Sequence, residues 1–404
     1  MKVLLSSIGS RGDVQPMLAL ALELRTLGHT ARFCAPPNFK AWIESYGFEF
    51  FPIGPDVREM AQAPGPTTFV MPTPEQRKLL AAGTVRAQFE VVGRAARACD
   101  RLIACGVLQI AAPSIAQLQG IPSVFVSYAP VSLPSPDHPP PKMDPGHPQD
   151  LTGDENLALW KAEEENWNGL FGEALNEERA KAGLGSVDNV LSHVITGRPW
   201  LAADSLLGPA PSVTGLDIVT TGAWMVSEET PLPDALERFL AAGDPPVYLG
   251  FGSMRGAEQA APILIEAVRA VGRRAIVSEG WGKLKPIDAQ ADCIAIGDVN
   301  HAKLFRRVAA VVHHGGAGTT HAAAAAGAPQ VIVPHHYDQP YWARRVHALR
   351  IGIASPPREE LKLEAIVAAL IEATGDLHAN ARAFSSRMSR TGTRMAIELL
   401  CHTG

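Results

Sequence analysis

The chain has no paired cysteines, no long apolar run and no excess of basic charge, and each absence removes a class of protein. Its five cysteines, at 34, 99, 105, 293 and 401, are scattered, odd in number and form no CxxC pair. That pattern fits reduced, mostly buried thiols rather than a disulfide scaffold. No stretch approaches the roughly 18 apolar residues that read as a membrane-spanning helix. The N-terminal run MKVLLSSIGSRGD turns polar too early for a secretory signal. A soluble cytoplasmic protein is expected. Lysine and arginine number 36 against 41 aspartates and glutamates, a net charge of −5, so nothing marks a polyanionic partner such as nucleic acid. His313, His314, His321, His335 and His336 crowd one region, but no HxxxH or HExxH spacing occurs and neighbouring strand residues face opposite ways. No metal and no resident cofactor are expected. Residues 9–13, GSRGD, are not a GxGxxG fingerprint, and no acidic residue closes a second strand about 20 residues on, which disfavours a dehydrogenase.

What is present organises around residues 309–334, AAVVHHGGAGTTHAAAAAGAPQVIVP. It reads as a buried strand, a turn with glycines at 315, 316 and 318, a helix from about Thr319, and a further strand from Gln330. A glycine-rich turn at a helix N-terminus can bind an anion, because the first amides lack partners and the dipole is positive there. Thr319 and Thr320 can cap the helix or donate to the same anion, and His314 offers another donor. The same pattern also serves as an ordinary strand-to-helix turn.

The chain is long enough for about two or three domains. Lys2–Ser6, a Gly/Ser turn, a helix with Pro16 in its first turn and a strand at Thr30–Ala35 make a βαβ unit. Ser10, Arg11 and Asp13 then lie at the carboxyl edge of a parallel sheet. Asp13 reads either as a helix cap or as a general base facing a cleft. Pro52–Pro74 and Pro134–Pro148 read as long loops over the mouth of the sheet. Trp160, Trp167, Phe171 and Leu175 share one face of a helix over 157–181 and read as core. Pro199–Gly222, poor in charge and rich in small residues, changes the texture of the chain. After it the pattern begins again: a strand at Val247–Gly250, a turn carrying Ser253, and a helix over 260–271. Trp281 follows the next strand and reads as a flat platform for a base or as packing. Asp338 and Gln339 follow the strand ending at Val333, as an Asx-type turn or as a bidentate pair for vicinal sugar hydroxyls. The expected fold is α/β, with two Rossmann-like parallel-sheet domains facing across a deep cleft. The expected divisions are 1–205, a linker at 206–222, 223–379, and a last helical segment at 380–404.

The motifs GSRGDVQP, CAPPNF at 34–39, TGAW at 221–224, GFGSM, SEGW, HHGGAGTTHAAAAAGAPQ and DQPYWARRV occur in this order over nearly the whole chain. The chain thereby resembles the GT-B nucleotide-sugar glycosyltransferases, close to the vancomycin-group antibiotic enzymes and, more distantly, the sterol glucosyltransferases. The resemblance implies inverting transfer of a hexose or deoxyhexose from a UDP- or TDP-sugar to a hydroxyl of a lipophilic natural-product acceptor, most readily an antibiotic aglycone. It implies Asp13 as base, although many family members carry histidine at that place. It assigns the donor diphosphate to Ser10, Arg11, Ser253, His314, Gly315, Gly316 and Thr319, and the nucleobase to Trp281 and the backbone at Val299. It assigns the donor sugar to Asp338 and Gln339, and it takes the segment 380–404 back to the N-terminal domain. Competing expectations are a lipid glucosyltransferase, a sugar 2-epimerase of the same architecture, and a non-catalytic auxiliary protein. The acceptor and the oligomeric state are not encoded in these motifs.

Overall fold

A computed structural model describes residues 1–62, 72–143, 149–213 and 215–402. Among the described residues, thirteen short strands form two sheets. The first holds β1 (Lys2–Ser7), β2 (Thr30–Ala35), β3 (Glu49–Pro52), β4 (Arg101–Cys105), β5 (Ser123–Ser127), β6 (Trp200–Leu201) and β7 (Val219–Thr220), in the order β3-β2-β1-β4-β5-β6-β7. The second holds β8 (Val247–Gly250), β9 (Ala275–Ser278), β10 (Cys293–Ile296), β11 (Ala310–His313), β12 (Gln330–Ile332) and β13 (Gly352–Ala354), in the order β10-β9-β8-β11-β12-β13. Neighbours pair in parallel throughout, from Leu4 opposite Arg32 and Leu102 in the first sheet to Val312 opposite Leu249 and Val331 in the second. Helices cover both faces of such sheets, so the strands are apolar runs: Val3, Leu4 and Leu5 are all buried, as are Val311 and Val312.

Both orders reverse direction at one point, between β1 and β4 and between β8 and β11. Ligands bind at the carboxyl ends of strands at such a point. The two sheets turn these ends toward each other. Chain following β2 meets chain following β9, the helix following β1 meets chain following β10, and chain following β6 meets the helix following β12. The β6 flank is a shared core: Leu201, Ala203 and Leu207 pack with Ile332, Trp342, Ala343 and Val346. Trp342 fills it so closely that a Cβ on Gly208 would stand 2.8 Å from the indole.

Five helices position the site. They are α1 (Arg11–Thr26), α2 (Gly153–Lys181), α3 (Ala317–Ala326), α4 (Gln339–Ala348) and α5 (Gly392–His402). Trp160, Trp167, Phe171 and Leu175 of α2 are buried in one cluster, as their spacing indicates.

The chain departs from the sequence reading in four places. Val57–Gln62 is helical within the first proline-rich stretch, while 63–71 and 144–148 lie outside the described residues. The first proline-rich stretch ends in a helix that begins at Pro74, where Thr73 and Gln76 form a capping box. The stretch 206–222, expected to link the halves, contributes Val219–Thr220 to the first sheet, so extended chain joining the sheets begins only at Thr221. Two residues are too short a strand to show periodicity. The last helix is broken: Leu377–Ser385 packs on the second domain, whereas α5 packs Ala396, Ile397 and Leu400 into the core of the first. The break allows a close crossing. A Cβ on Gly392 would lie 2.4 Å from the Ala223 carbonyl, so only glycine fits there.

Candidate active site

Asp13 stands on the third residue of α1, and both readings of it are realised in one geometry. Its Oδ2 accepts from the Ser10 amide at 2.7 Å and the Ser10 hydroxyl at 3.3 Å, while Ser10 Oγ accepts from the Gly12 amide at 3.3 Å. This is a capping box. A Cβ on Gly9 would stand 2.2 Å from Oδ2, so the turn needs glycine there to bring the carboxylate over the backbone. Burial pushes the Asp13 carboxyl up from 3.8 to about 6, against the lowering effect of the Ser10 bonds. Tyr128 donates to the Asp13 carbonyl at 3.2 Å and fixes the first turn of α1 from the end of β5. No local sequence signal marks Tyr128, which lies 115 residues away.

Opposite lies the N-terminus of α3. Gly316 is its cap residue and supplies no side-chain bond. The helix begins at Ala317, two residues before the expected Thr319, and the Thr320 hydroxyl donates to the Gly316 carbonyl at 2.9 Å, so Thr320 is unavailable to an anion. The Gly316, Gly318 and Thr319 amides have no partner among the described residues, nor do the Thr319 and Ser253 hydroxyls. Gly315, at φ 90°, makes the turn, and its amide donates to His313 Nδ1 at 3.1 Å. That assigns the His313 proton to Nε2, which donates to Gln330 Oε1 at 2.9 Å. His313 therefore braces the turn from within the sheet.

His314 sits between the glycine turns after β8 and β11: a Cβ on Gly316 would lie 2.5 Å from its Nε2, and one on Gly252 would lie 3.4 Å from Cε1. Burial and the neighbouring His313, His335 and His336 hold it neutral, well below the usual imidazole range. Its Nδ1 is buried without a hydrogen-bond partner, which is unusual for a polar atom in a protein interior. Nε2 faces the turn at Gly316, so a neutral imidazole that carries its proton there, beside unpaired helix amides, is suited to an anion. His321 belongs elsewhere. Its Nε2 accepts from the Asp204 amide at 3.1 Å and its Nδ1 donates to the Ala317 carbonyl at 2.7 Å, tying the two domains together. Among the described residues, no group of three or more His, Cys, Asp and Glu side chains is arranged to hold a metal ion.

Asp338 and Gln339 open α4. Asp338 Oδ2 accepts from the Trp342 indole at 2.9 Å, and the carboxylate also lies against the Ala317 amide. Burial lifts it to about 6, with the charge of Asp13 adding to the rise, so the two carboxylates sense each other across the cleft. Gln339 is buried, and its Oε1 already accepts from the His335 and His336 amides at 2.8 and 3.3 Å. Only its NH2, 3.5 Å from Met254 Sδ, remains to turn toward a ligand. Tyr337, just before them, takes a left-handed backbone at φ 63° and donates its amide to the Lys142 carbonyl, another link between domains. Trp281 donates its amide to the Gly252 carbonyl at 2.8 Å, while its ring meets Phe39 of the first domain at 5.9 Å. Arg11 is turned to Asp298, at 2.5 Å, beside Val299. Ser10 is occupied by its cap. The structure thus gathers Asp13, Ser253, His314, Gly315, Gly316, Thr319, Asp338 and Gln339 about the facing helix ends, and sets Arg11, Trp281 and Val299 along one flank.

Two facing Rossmann-like domains with an acid on one edge and an uncapped glycine turn on the other define a GT-B glycosyltransferase. Residues 3–103 match the glycosyltransferase family 28 N-terminal domain, and residues 266–394 match the erythromycin biosynthesis protein CIII-like C-terminal domain. The chain is 41% identical to glycosyltransferase GtfC of Amycolatopsis orientalis, over 99% of this chain and 97% of that one. It is 40% identical to the vancomycin aglycone glucosyltransferase of the same organism, with the same coverage. The crystal structure of glycosyltransferase VinC in complex with dTDP superposes with a TM-score of 0.70 at 19% identity, covering 99% of this chain and 98% of that one. The chain belongs to the vancomycin group of antibiotic glycosyltransferases. No helix among its described residues is long and apolar enough to cross a membrane.

Proposed function

We propose that this chain is an inverting, metal-independent enzyme that moves a hexose or deoxyhexose from a UDP- or TDP-sugar to a hydroxyl of a natural-product aglycone. The observation that carries this reading is the opposition of a half-buried carboxylate, Asp13, to a helix end with unpaired amides beside the His314 imidazole. The diphosphate takes those amides, with Ser253 and Thr319 as further donors. Trp281 and Val299 hold the base, and Asp338 with the Gln339 NH2 holds the sugar. Arg11 reaches the diphosphate after leaving Asp298, and Ser10 serves by orienting Asp13.

Asp13 accepts the proton of the acceptor hydroxyl as that oxygen bonds to the anomeric carbon. The bond from that carbon to the diphosphate oxygen breaks, and its electron pair leaves with the diphosphate. Negative charge grows where the α3 amides and His314 lie, and fixed donors there stabilise it without reorganising. Attack from the face opposite the diphosphate inverts the anomeric configuration. The 40% identity to a vancomycin aglycone glucosyltransferase supports an antibiotic aglycone as acceptor.

Thermal unfolding with UDP, TDP, GDP and NAD tests the donor site. A nucleotide at a hundred times its Kd adds about 2.7 kcal/mol to the state that binds it. Stabilisation by UDP or TDP alone supports the reading, and no response to either removes it. Turnover in EDTA tests the metal-free mechanism, and the anomeric coupling constant of the product tests inversion.

A further inference from the structure

The two flanks of the cleft are held together differently. The β6 flank is a fully buried core centred on Trp342. On the opposite flank the first domain reaches across through a small cluster of side chains. Phe39, at the end of the 3-10 turn after β2, packs on Trp281 with ring centroids 5.9 Å apart and planes inclined by 33°. Trp42 lies 6.1 Å from Phe39, and the Arg11 guanidinium sits 5.1 Å over the Trp42 ring while pairing with Asp298. These contacts fall on the segments carrying Trp281 and Val299. Phe39 itself is 4% exposed and anchored in the first domain's core, so it is a fixed support. Trp281 is only partly buried where it packs against that core, so part of its ring surface stays open.

The turn that carries Trp281 is rigid on its other side. Cβ atoms on Gly280 and Gly282 would stand 2.4 Å from the Gly252 and Met254 carbonyls, so the Gly-Trp-Gly segment lies directly on the turn that presents Ser253. Backbone position is thus set by the second domain, and ring orientation by Phe39 of the first.

We propose that Phe39 is a nucleobase-positioning residue: it holds the Trp281 ring from across the cleft, so the platform for the donor's base is built from both domains. This rests on the donor assignment above. It explains why an aromatic residue of the expected acceptor domain is aimed at the donor half, and why the contacts on this flank concentrate where a base would lie. Base recognition and closure of the cleft are then one event, since the ring is correctly set only when the first domain is in place.

The test is calorimetric titration of UDP, TDP and pyrophosphate into the full-length wild-type chain and its F39L and F39Y variants. Leucine keeps the apolar anchor, and tyrosine keeps the ring. Losing one aromatic pair, worth about 0.5–1.5 kcal/mol beyond burial, should weaken the preferred nucleotide about 2- to 10-fold in F39L. Pyrophosphate affinity should stay unchanged, and F39Y should restore nucleotide affinity. Equal or tighter nucleotide binding by folded F39L overturns the proposal, as does equal weakening toward pyrophosphate. If the wild type binds neither UDP nor TDP, the donor assignment falls and this inference with it. If the wild type binds and F39L binds equally well, only this inference falls.

Discussion

The turns after β1 and β11 have the same architecture and opposite chemistry. Each leaves a parallel strand at the switch point, bends through glycine and starts a helix aimed at the cleft. At α1 the chain closes its own helix end: Ser10 and Asp13 take up the first amides and place a carboxylate there. At α3 the cap residue is Gly316, no side chain of the turn reaches back, and the amides of Gly318 and Thr319 stay open. A helix end that carries its own acid repels a second anion and holds a base. A helix end without one attracts an anion. The division between base and leaving-group site therefore comes down to which residue occupies the cap.

The largest effect should come from removing the acid. Asp13→Asn keeps an oxygen for the Ser10 amide and loses the proton acceptor, so kcat should fall about 10²- to 10⁴-fold with nucleotide Kd nearly unchanged. Near-normal turnover would make Asp13 only a cap. The same residue sets a pH signature. Because burial raises its folded pKa from 3.8 to about 6, the native state binds a proton more tightly than the unfolded chain between those values. Stability should therefore fall as pH rises through that window, while activity rises as the carboxylate ionises. Asp13→Asn should reduce the stability slope, leaving the part due to Asp338, which is raised in the same direction. An unchanged slope in chemical-denaturation midpoints between pH 4 and 7 would show that Asp13 titrates normally.

Next in size is the other helix end. His314→Ala removes the imidazole donor but leaves the α3 amides, and loss of one such donor should lower kcat about 10²- to 10³-fold. Donor binding should weaken as well, which separates this variant from Asp13→Asn. Activity independent of His314 would place the diphosphate elsewhere. Gly316→Ser offers the missing cap and brings a Cβ to 2.5 Å from His314 Nε2, so the histidine must move. It should bind UDP or TDP more weakly than wild type, and unaltered affinity would mean that this helix end does not hold the phosphates.

The contrast between the turns was readable in the sequence because it is local. GSRGD and HHGGAGTT name the residues that decide it, and the strand–turn–helix rhythm places both at sheet edges. Hydrogen-bond competition among these residues was not readable. Composition cannot show that Thr320 bonds to Gly316, that Gln339 gives its oxygen to two loop amides, or that Ser10 is a cap before it is a phosphate donor. Nor could it show contacts between residues far apart in the chain. Arg11 reads as a phosphate ligand until Asp298, from the other domain, is found beside it, and Trp281 reads as a free platform until Phe39 is. The strand inside the expected linker has the same origin: Val219–Thr220 is a strand only because Trp200–Leu201 stands next to it.

The smallest effect should come from weakening the closed end without touching the acid. Ser10→Ala removes a cap and should cost about 1 kcal/mol of stability. It also removes one of the bonds that lower the Asp13 pKa, so the acid limb of the activity profile should move to higher pH. If Ser10 acts only through Asp13, Kd for UDP or TDP stays at the wild-type value while the limb moves. If Ser10 instead binds the diphosphate, affinity drops and the limb stays in place. The two results cannot both follow from one role, because the 3.3 Å bond to Oδ2 and a bond to phosphate require the single hydroxyl proton to point in different directions.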